Sequence, residues 1–465
     1  MNAQQRSQLK EIFDAALARV DPRAMVVDTV SVTGSILAIE TETTHEEINL
    51  ELFQRILVLG AGKASASMAL GLEEILGDRI DDGVISVKPG YGEALRRISV
   101  VEAGHPVPDE RSQEAALRTL ELAANADKST LVINLISGGG SALLAAPKIC
   151  TVDGSRIELS LSDLQTTTTA LLSSGATIDE INTVRKHLSS IKGGGLAKAI
   201  YPAHSISLIL SDVVGDRLDT IASGPTVADP TTYRDALNLL GRYKVTGAVP
   251  ESVVRVMTLG TEGRIPETPK PGDQVFEPVR NLLVGTNYQA LIAASERAEA
   301  MGYLPLIVTS QLTGEATTAA GFIASVVRDV QAHGLPVSPP ACLLFGGETT
   351  VTVRGPGKGG RNQEIALWMI GEMGRRREDF ANVSFLSAGT DGTDGPTEAA
   401  GAFASVGLAE SAAESGLLPA EYLARNDSHA FHSGLGSLLL TGPTHTNVCD
   451  IQIALVDRPQ SRKQS

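Results

Sequence analysis

The most constraining feature of this chain is a rhythm. Short aliphatic, often β-branched runs end directly in clusters of glycine, serine or aspartate, and helical stretches separate one run from the next. Runs at 55–59, 131–136 and 205–210 lead into GAGK (60–63), SGGGS (137–141) and Ser211-Asp212. Later runs at 281–284, 303–308, 342–345 and 383–386 lead into GTN, TS, GGE and SAGTD. Apolar runs this short, bounded by turn residues, read as strands buried on both faces of a parallel sheet. Their alternation with helices places the chain in the α/β class. The clearest helix opens at Thr177, which forms a capping box with Glu180. Ile178, Ile181, Val184, Leu188 and Ile191 share one of its faces, and Gly193 supplies the stop.

A length of 465 residues suggests two or three domains at roughly 150 residues each. The stretch 263–278 holds Pro266, Pro269, Pro271 and Pro278 and no apolar period. Loops beyond about 12–15 residues are uncommon inside a compact domain, so this one reads as a link. Two α/β domains are therefore expected, at 1–275 and 276–465. The run at 349–354 follows Gly346 and Gly347 as the second arm of a hairpin would, which makes the second sheet mixed. At the N-terminus, Leu9, Ile12, Phe13, Ala16, Leu17 and Val20 recur at helical spacing and Asp21-Pro22 ends the pattern. That is a helix packed on the body, not a signal peptide.

Charge and composition exclude whole classes of partner. Lys plus Arg number 39 against 54 Asp plus Glu, a net charge of −15, and only 4 % of residues are aromatic. Such a surface repels nucleic acid and anionic membrane and has few rings for stacking on bases. No run approaches the about 18 apolar residues of a membrane span. Three widely spaced cysteines build neither a zinc site nor a disulfide framework, in keeping with a reducing, cytoplasmic location.

Open α/β sheets bind ligands beyond the carboxyl ends of their strands, and the glycine and aspartate clusters lie there. Gly60 and Gly62 form a tight turn into a helix with Lys63 beside it, suited to an anion. The turn departs from a Walker A loop at Leu57 and Ala64, and from a dinucleotide fingerprint at Ser65. An ordinary strand–helix turn explains it as well. Ser137, Gly138, Gly139, Gly140 and Ser141 read as a nest of amides for phosphate or carboxylate, or as a flexible turn. Lys192, Gly193 and Gly194 repeat the device, with Arg185, Lys186 and Lys198 nearby; Arg185 and Lys186 also suit a helix C-terminus. Asp212 and Asp216 offer a base for a substrate hydroxyl, a Mg²⁺ ligand, or a turn. Arg361 opens a helix with a planar cation fit for carboxylate or phosphate. Asp391 and Asp394 stand three apart in a glycine loop, as Mg²⁺ ligands or as turn formers. His105, framed by prolines, is placed to line a cleft.

The series GAGKAS, GHPVPD, LISGGGSALL, NTVRKHLSSIKGGGLA, LILSDVVGD, IASGPT, GGETTV, GKGGRNQE, AGTDGTDGPT and GPTHTNV, in this order from about residue 7 to 456, resembles the glycerate kinase family with a MOFRL C-terminal domain. The resemblance implies a Rossmann-like, mostly parallel N-terminal domain (1–275) and a smaller mixed α/β C-terminal domain of the MOFRL type (276–465), with the active site between them. It also implies transfer of phosphate from ATP, with Mg²⁺, to D-glycerate, commonly at the C2 hydroxyl. The family's functional lysine, aspartate and arginine fall on Lys63, Asp212 and Arg361. The nucleotide's phosphates would lie on the SGGGS and KGGG turns, and Asp391 and Asp394 are candidate metal ligands. The partner expected is this small acid, with neither nucleic acid nor membrane, and a homo-oligomer is compatible with the chain. One departure is His445, where the family carries glycine in G-P-T-G-T-N. The alternative activity is a hydroxypyruvate reductase using NAD(P)H, a name some members carry. Asp81 and Asp82 approach the spacing of its ribose-binding acid, but the third glycine is missing.

Overall fold

The computed structural model describes residues 1–41 and 44–458. The chain divides into two compact units, Pro22–Val284 and a second made of Met1–Asp21 with Gly285–Ser465.

In the first unit, β1 (Val30–Thr33), β2 (Ile36–Glu40) and β3 (His45–Asn49) form an antiparallel ribbon. The main sheet takes β4 (Arg55–Ala61), β5 (Asp82–Val87), β6 (Ser99–Glu102) and β7 (Thr130–Ile136). A hairpin of β8 (Ile149–Val152) and β9 (Ser155–Glu158) follows, and β10 (His204–Leu210) and β11 (Val279–Gly285) complete the sheet. Its order is β11-β10-β7-β4-β5-β6, with parallel pairing from β10 through to β6. Every residue of β7 is buried, as its apolar run requires of a strand covered on both faces. Starting from β4, the chain adds β5 and β6 on one side, then β7, β10 and β11 on the other. The strand order therefore reverses between β4 and β7, the Rossmann switch point where a crevice opens beyond the strand ends.

The second unit holds β12 (Leu304–Leu312), β13 (Ala341–Gly347), β14 (Val383–Gly389), β15 (Gly401–Ser405), the short β16 (Leu438–Leu439) and β17 (Asp450–Val456). They are ordered β12-β13-β17-β14-β15-β16. Only β12 and β13 pair in parallel; β17 runs antiparallel between β13 and β14. The helix Ala3–Arg19 buries Leu9, Ile12, Phe13 and Ala16 in this unit, packed on the helix Asn287–Ala300 and tied to it by Arg297–Glu11 at 2.6 Å. Among the described residues no helix is long and apolar enough to cross a membrane.

Two expectations change. The second sheet is mixed, but residues 349–354 form no strand; Thr350 makes only an isolated bridge to Glu315. The flank of β13 where a hairpin arm would pair is taken by β17. The division also differs from a single cut at 275. The proline-rich stretch belongs to the first unit, where Pro269 O accepts from Asp229 N (2.9 Å) and Glu267 meets His187 (3.3 Å), before β11 joins that sheet. The first helix belongs to the second unit because its apolar stripe is buried there.

Candidate functional site

At the switch point the two turns interlock. Lys63 N donates to Gly138 O at 2.8 Å, Ala64 N to the Ser137 hydroxyl at 3.0 Å, and Ser137 N to Ala61 O at 3.1 Å. A side chain on Gly62 would collide with Ser137, so this glycine serves the contact between turns. Asp212, beyond β10, packs against Gly138 so closely that a Cβ there would overlap its carboxylate. His105 approaches Gly139 in the same way, its Nε2 at 2.8 Å from where a Cβ would stand. The SGGGS glycines thus admit an acid and an imidazole to the backbone, and Lys63 lies beside both. Among the described residues the amides of Gly138 and Gly139 have no protein acceptor.

The charges around this turn are tuned by burial. Burial pushes the Asp212 carboxyl up from its ordinary range, and Lys63 pulls it back. That combination is what a general base for a weakly acidic hydroxyl needs. Burial, with Lys63 and Lys88 adding to it, lowers His105 to about 4, so its imidazole is neutral near pH 7. It can donate or accept a hydrogen bond there without adding charge.

The KGGG turn does not repeat the device. Gly193 N donates to Ser223 O (3.0 Å) and Gly194 N to Gly224 O (2.8 Å), so their amides are spent on protein. Lys192 Nζ donates to the carbonyls of Ser141 (2.6 Å) and Leu144 (2.9 Å), which pins the SGGGS turn from behind. Lys192, Gly193 and Gly194 are thus a support for the nest. Lys186 is likewise engaged, at 3.3 Å from Asp219 and 3.6 Å from Asp229.

In the second unit, Arg361 opens the helix Arg361–Arg375. Its Nε and Nη2 bond Asp450 at 2.5 and 2.9 Å, and Nη1 meets Glu348 at 2.9 Å. Burial works against this charge, but the bonds and field of Asp450, with Glu348, outweigh it and keep the guanidinium protonated. Asp450 begins the antiparallel strand β17 and pairs with Gly347 and Gly389, the last residues of β13 and β14. An antiparallel strand thereby delivers its first residue to the end of the sheet where its neighbours finish.

Asp394 does not fit a metal. Its carboxylate caps the same helix, accepting from Asn362 N at 3.1 Å and from Gln363 N and Nε2 at 2.9 and 3.0 Å. Burial pushes it up to about 6. Asp391 accepts from Thr393 N and Oγ1, both at 3.0 Å, in a turn. Among the described residues no group of three or more His, Cys, Asp or Glu side chains is arranged to hold a metal ion. The two acids are turn and cap formers, the plainer of the two readings their spacing allowed.

Comparison with known proteins decides the relationship. The family described as a domain of unknown function, DUF4147, matches residues 8–258, and the MOFRL family matches 341–450. The chain is 42 % identical to the glycerate 2-kinase of Pyrococcus horikoshii over 448 residues, covering 96 % of each. The chain belongs to the glycerate kinase family. The human glycerate kinase is 38 % identical, with 97 % of this chain and 93 % of that one aligned. The crystal structure of the Thermotoga maritima glycerate kinase matches with a TM-score of 0.83 and 39 % identity, covering 98 % of this chain and all of that one.

Against the family pattern, His445 stands at φ +60°, a left-handed position that glycine fills without cost. Neighbouring hydroxyls hold the loop: Thr444 Oγ1 donates to Thr390 O (2.6 Å) and Thr446 Oγ1 to Val20 O (2.6 Å). Asp450 and Glu348 were not singled out from sequence. A lone acid opening the mostly apolar run Asp450–Val456, which Gln452 alone interrupts, was the available signal for the first. Glu348 stands in GGETTV, where no second residue in the sequence gives it a role.

Proposed function

We propose that the protein is a glycerate 2-kinase: it transfers the γ-phosphoryl group of MgATP, bound as a co-substrate, to the C2 hydroxyl of D-glycerate. The observation that carries this reading is the cluster at the switch point. Asp212, Lys63 and the unspent amides of Gly138 and Gly139 combine a base, a cation and anion donors. Phosphoryl transfer asks a protein mainly for positioning and charge neutralisation, and these groups suit both tasks. Asp212 orients the glycerate hydroxyl and takes its proton as the bond to phosphorus forms. Lys63 and the amides face the equatorial oxygens of the migrating group. Neutral His105 contributes a hydrogen bond at the same turn.

Arg361 is the second cation of the scheme. A guanidinium has five N–H donors, and three are engaged by Asp450 and Glu348, so two remain for an anion. The magnesium ion arrives with the nucleotide and keeps most of its ligands as phosphate oxygens and water. The alternative reductase chemistry has no support at Ser65. Its buried hydroxyl donates to Leu135 O (3.0 Å) where a dinucleotide-binding turn carries glycine.

Phosphorus NMR of the product from D-glycerate and MgATP tests the proposal. A 2-phosphoglycerate resonance growing with ADP is expected. A 3-phosphoglycerate resonance refutes the position of attack, and an inert mixture refutes the activity.

A further inference from the structure

Among the described residues, Arg185 is an arginine without a counter-ion. It lies on the helix Ile178–His187, partly buried, and among the described residues no carboxylate pairs with it. Burial alone pulls its guanidinium down to about 10. Its nearest polar contact is Asn182 Oδ1, at 3.5 Å from Nη1. The same Asn182 oxygen accepts from the Ser223 hydroxyl at 3.1 Å, and Ser223 lies 2.8 Å from the Ser141 hydroxyl. A chain of polar groups thus runs from Arg185 to the last residue of the SGGGS turn.

The backbone at Ser223 marks this arrangement as expensive. Ala222 and Ser223 take φ of +50° and +60°, left-handed positions that cost an ordinary residue roughly 1–2 kcal/mol each. Consecutive strain of this kind persists only where the surroundings hold it, and it clusters at ligand sites. Here it turns Ser223 toward Ser141 and Asn182 while Ser223 O and Gly224 O receive the Gly193 and Gly194 amides.

We infer that Arg185, oriented through Asn182, Ser223 and Ser141, receives the carboxylate of the three-carbon substrate. This rests on the glycerate kinase reading and adds to it the residue that selects an acid. Three observations support this assignment. The nearby Lys192 ammonium is already held by two carbonyls, so most of its donors are spent on protein and the Arg185 fork is left to meet a ligand. The planar fork of an arginine fits a planar carboxylate through two parallel bonds. Finally, the polar chain from Arg185 ends on Ser141, the last residue of the same turn whose Gly138 packs against Asp212, so the cation is tied to the turn that touches the base.

The test is steady-state kinetics of the full-length protein with D-glycerate and ATP varied separately, and with the neutral amide glyceramide as a competing acceptor. Arg185→Ala is expected to raise KM for D-glycerate by about 10–10²-fold, the worth of a charged hydrogen-bonded contact, with KM for ATP within about twofold. Its preference for glycerate over glyceramide should collapse. Arg185→Lys, which keeps the charge without the fork, should recover part of the loss and serves if the alanine variant does not fold. An unchanged KM for glycerate, or a rise confined to ATP, overturns the assignment while leaving the kinase reading intact. A wild-type protein inert toward D-glycerate overturns both.

Discussion

Arg185 and Arg361 are both half-hidden arginines beside glycine-rich turns, one in each compact unit, and their surroundings are opposite. Arg361 spends three donors on Asp450 and Glu348; Arg185, among the described residues, has no carboxylate partner. A buried cation already matched by acids is held in place before any ligand arrives, and it meets an anion only with the donors those acids leave over. One left unmatched costs stability and is retained where an anion will supply the missing charge. The second unit fixes its arginine with two acids, whereas the first, among the described residues, leaves Arg185 without one.

The strongest way to break this contrast is at Asp212. Asp212→Asn should lower kcat by about 10²–10⁴ with little change in Tm, measured by ADP release. The acid limb of the wild-type kcat/KM profile should lie above the ordinary carboxylate range, since the base form is populated only as pH rises through a raised pKa. That limb should vanish in the variant. If activity survives the substitution, the first unit does not hold the base.

Asp450→Ala attacks the opposite side. Removing an almost fully buried partner strands the Arg361 charge and should cost about 3–5 kcal/mol in urea unfolding. An Asp450 variant of unchanged stability would mean that this acid does not hold Arg361, and would dissolve the distinction.

Acid sharpens the same contrast through His432, which lies under the first turn of the Arg361 helix with Nε2 at 3.0 Å from Gln363 O and Nδ1 at 2.7 Å from the Ser437 hydroxyl. Burial lowers its folded pKa to about 4 against 6.5 for the free side chain. The unfolded chain therefore binds the extra proton first. The stability of the neutral ring is complete above pH 6.5 and is lost as pH falls toward 4, by at most about 3 kcal/mol. A His432→Gln protein should show a flatter Tm between pH 7 and 4.5; an equal slope would assign the acid sensitivity elsewhere. Smallest of all, Glu348→Gln should cost under about 1 kcal/mol, because that partner is 42 % exposed and water screens it.

Much of the framework was legible in the chain. All seven apolar runs became strands, and the turn after each of β4, β7 and β10 carries a proposed site residue. It works best where a strand is buried on both faces, as β7 and β14 are, because such a strand must be largely apolar and its end must turn sharply. What was not legible was whatever depended on partners distant in sequence. The KGGG amides look free until the ASGP loop closes on them. Asp394 looks like a ligand until the Arg361 helix sets its first turn on it. Arg185 reads as a helix-end charge until its lack of an acid can be seen. The proline-rich link and the 349–354 run failed for the same reason, since their fate was decided by Asp229 and by β17.

The helix Ala3–Arg19 is separated from the helix it packs on by the whole of the Pro22–Val284 unit. During synthesis its apolar stripe must wait while that entire unit emerges and folds. The second unit is therefore stitched shut by contacts between the earliest and latest parts of the chain, so a ribosome halted near residue 284 releases a finished sheet with an orphaned, sticky helix at its head.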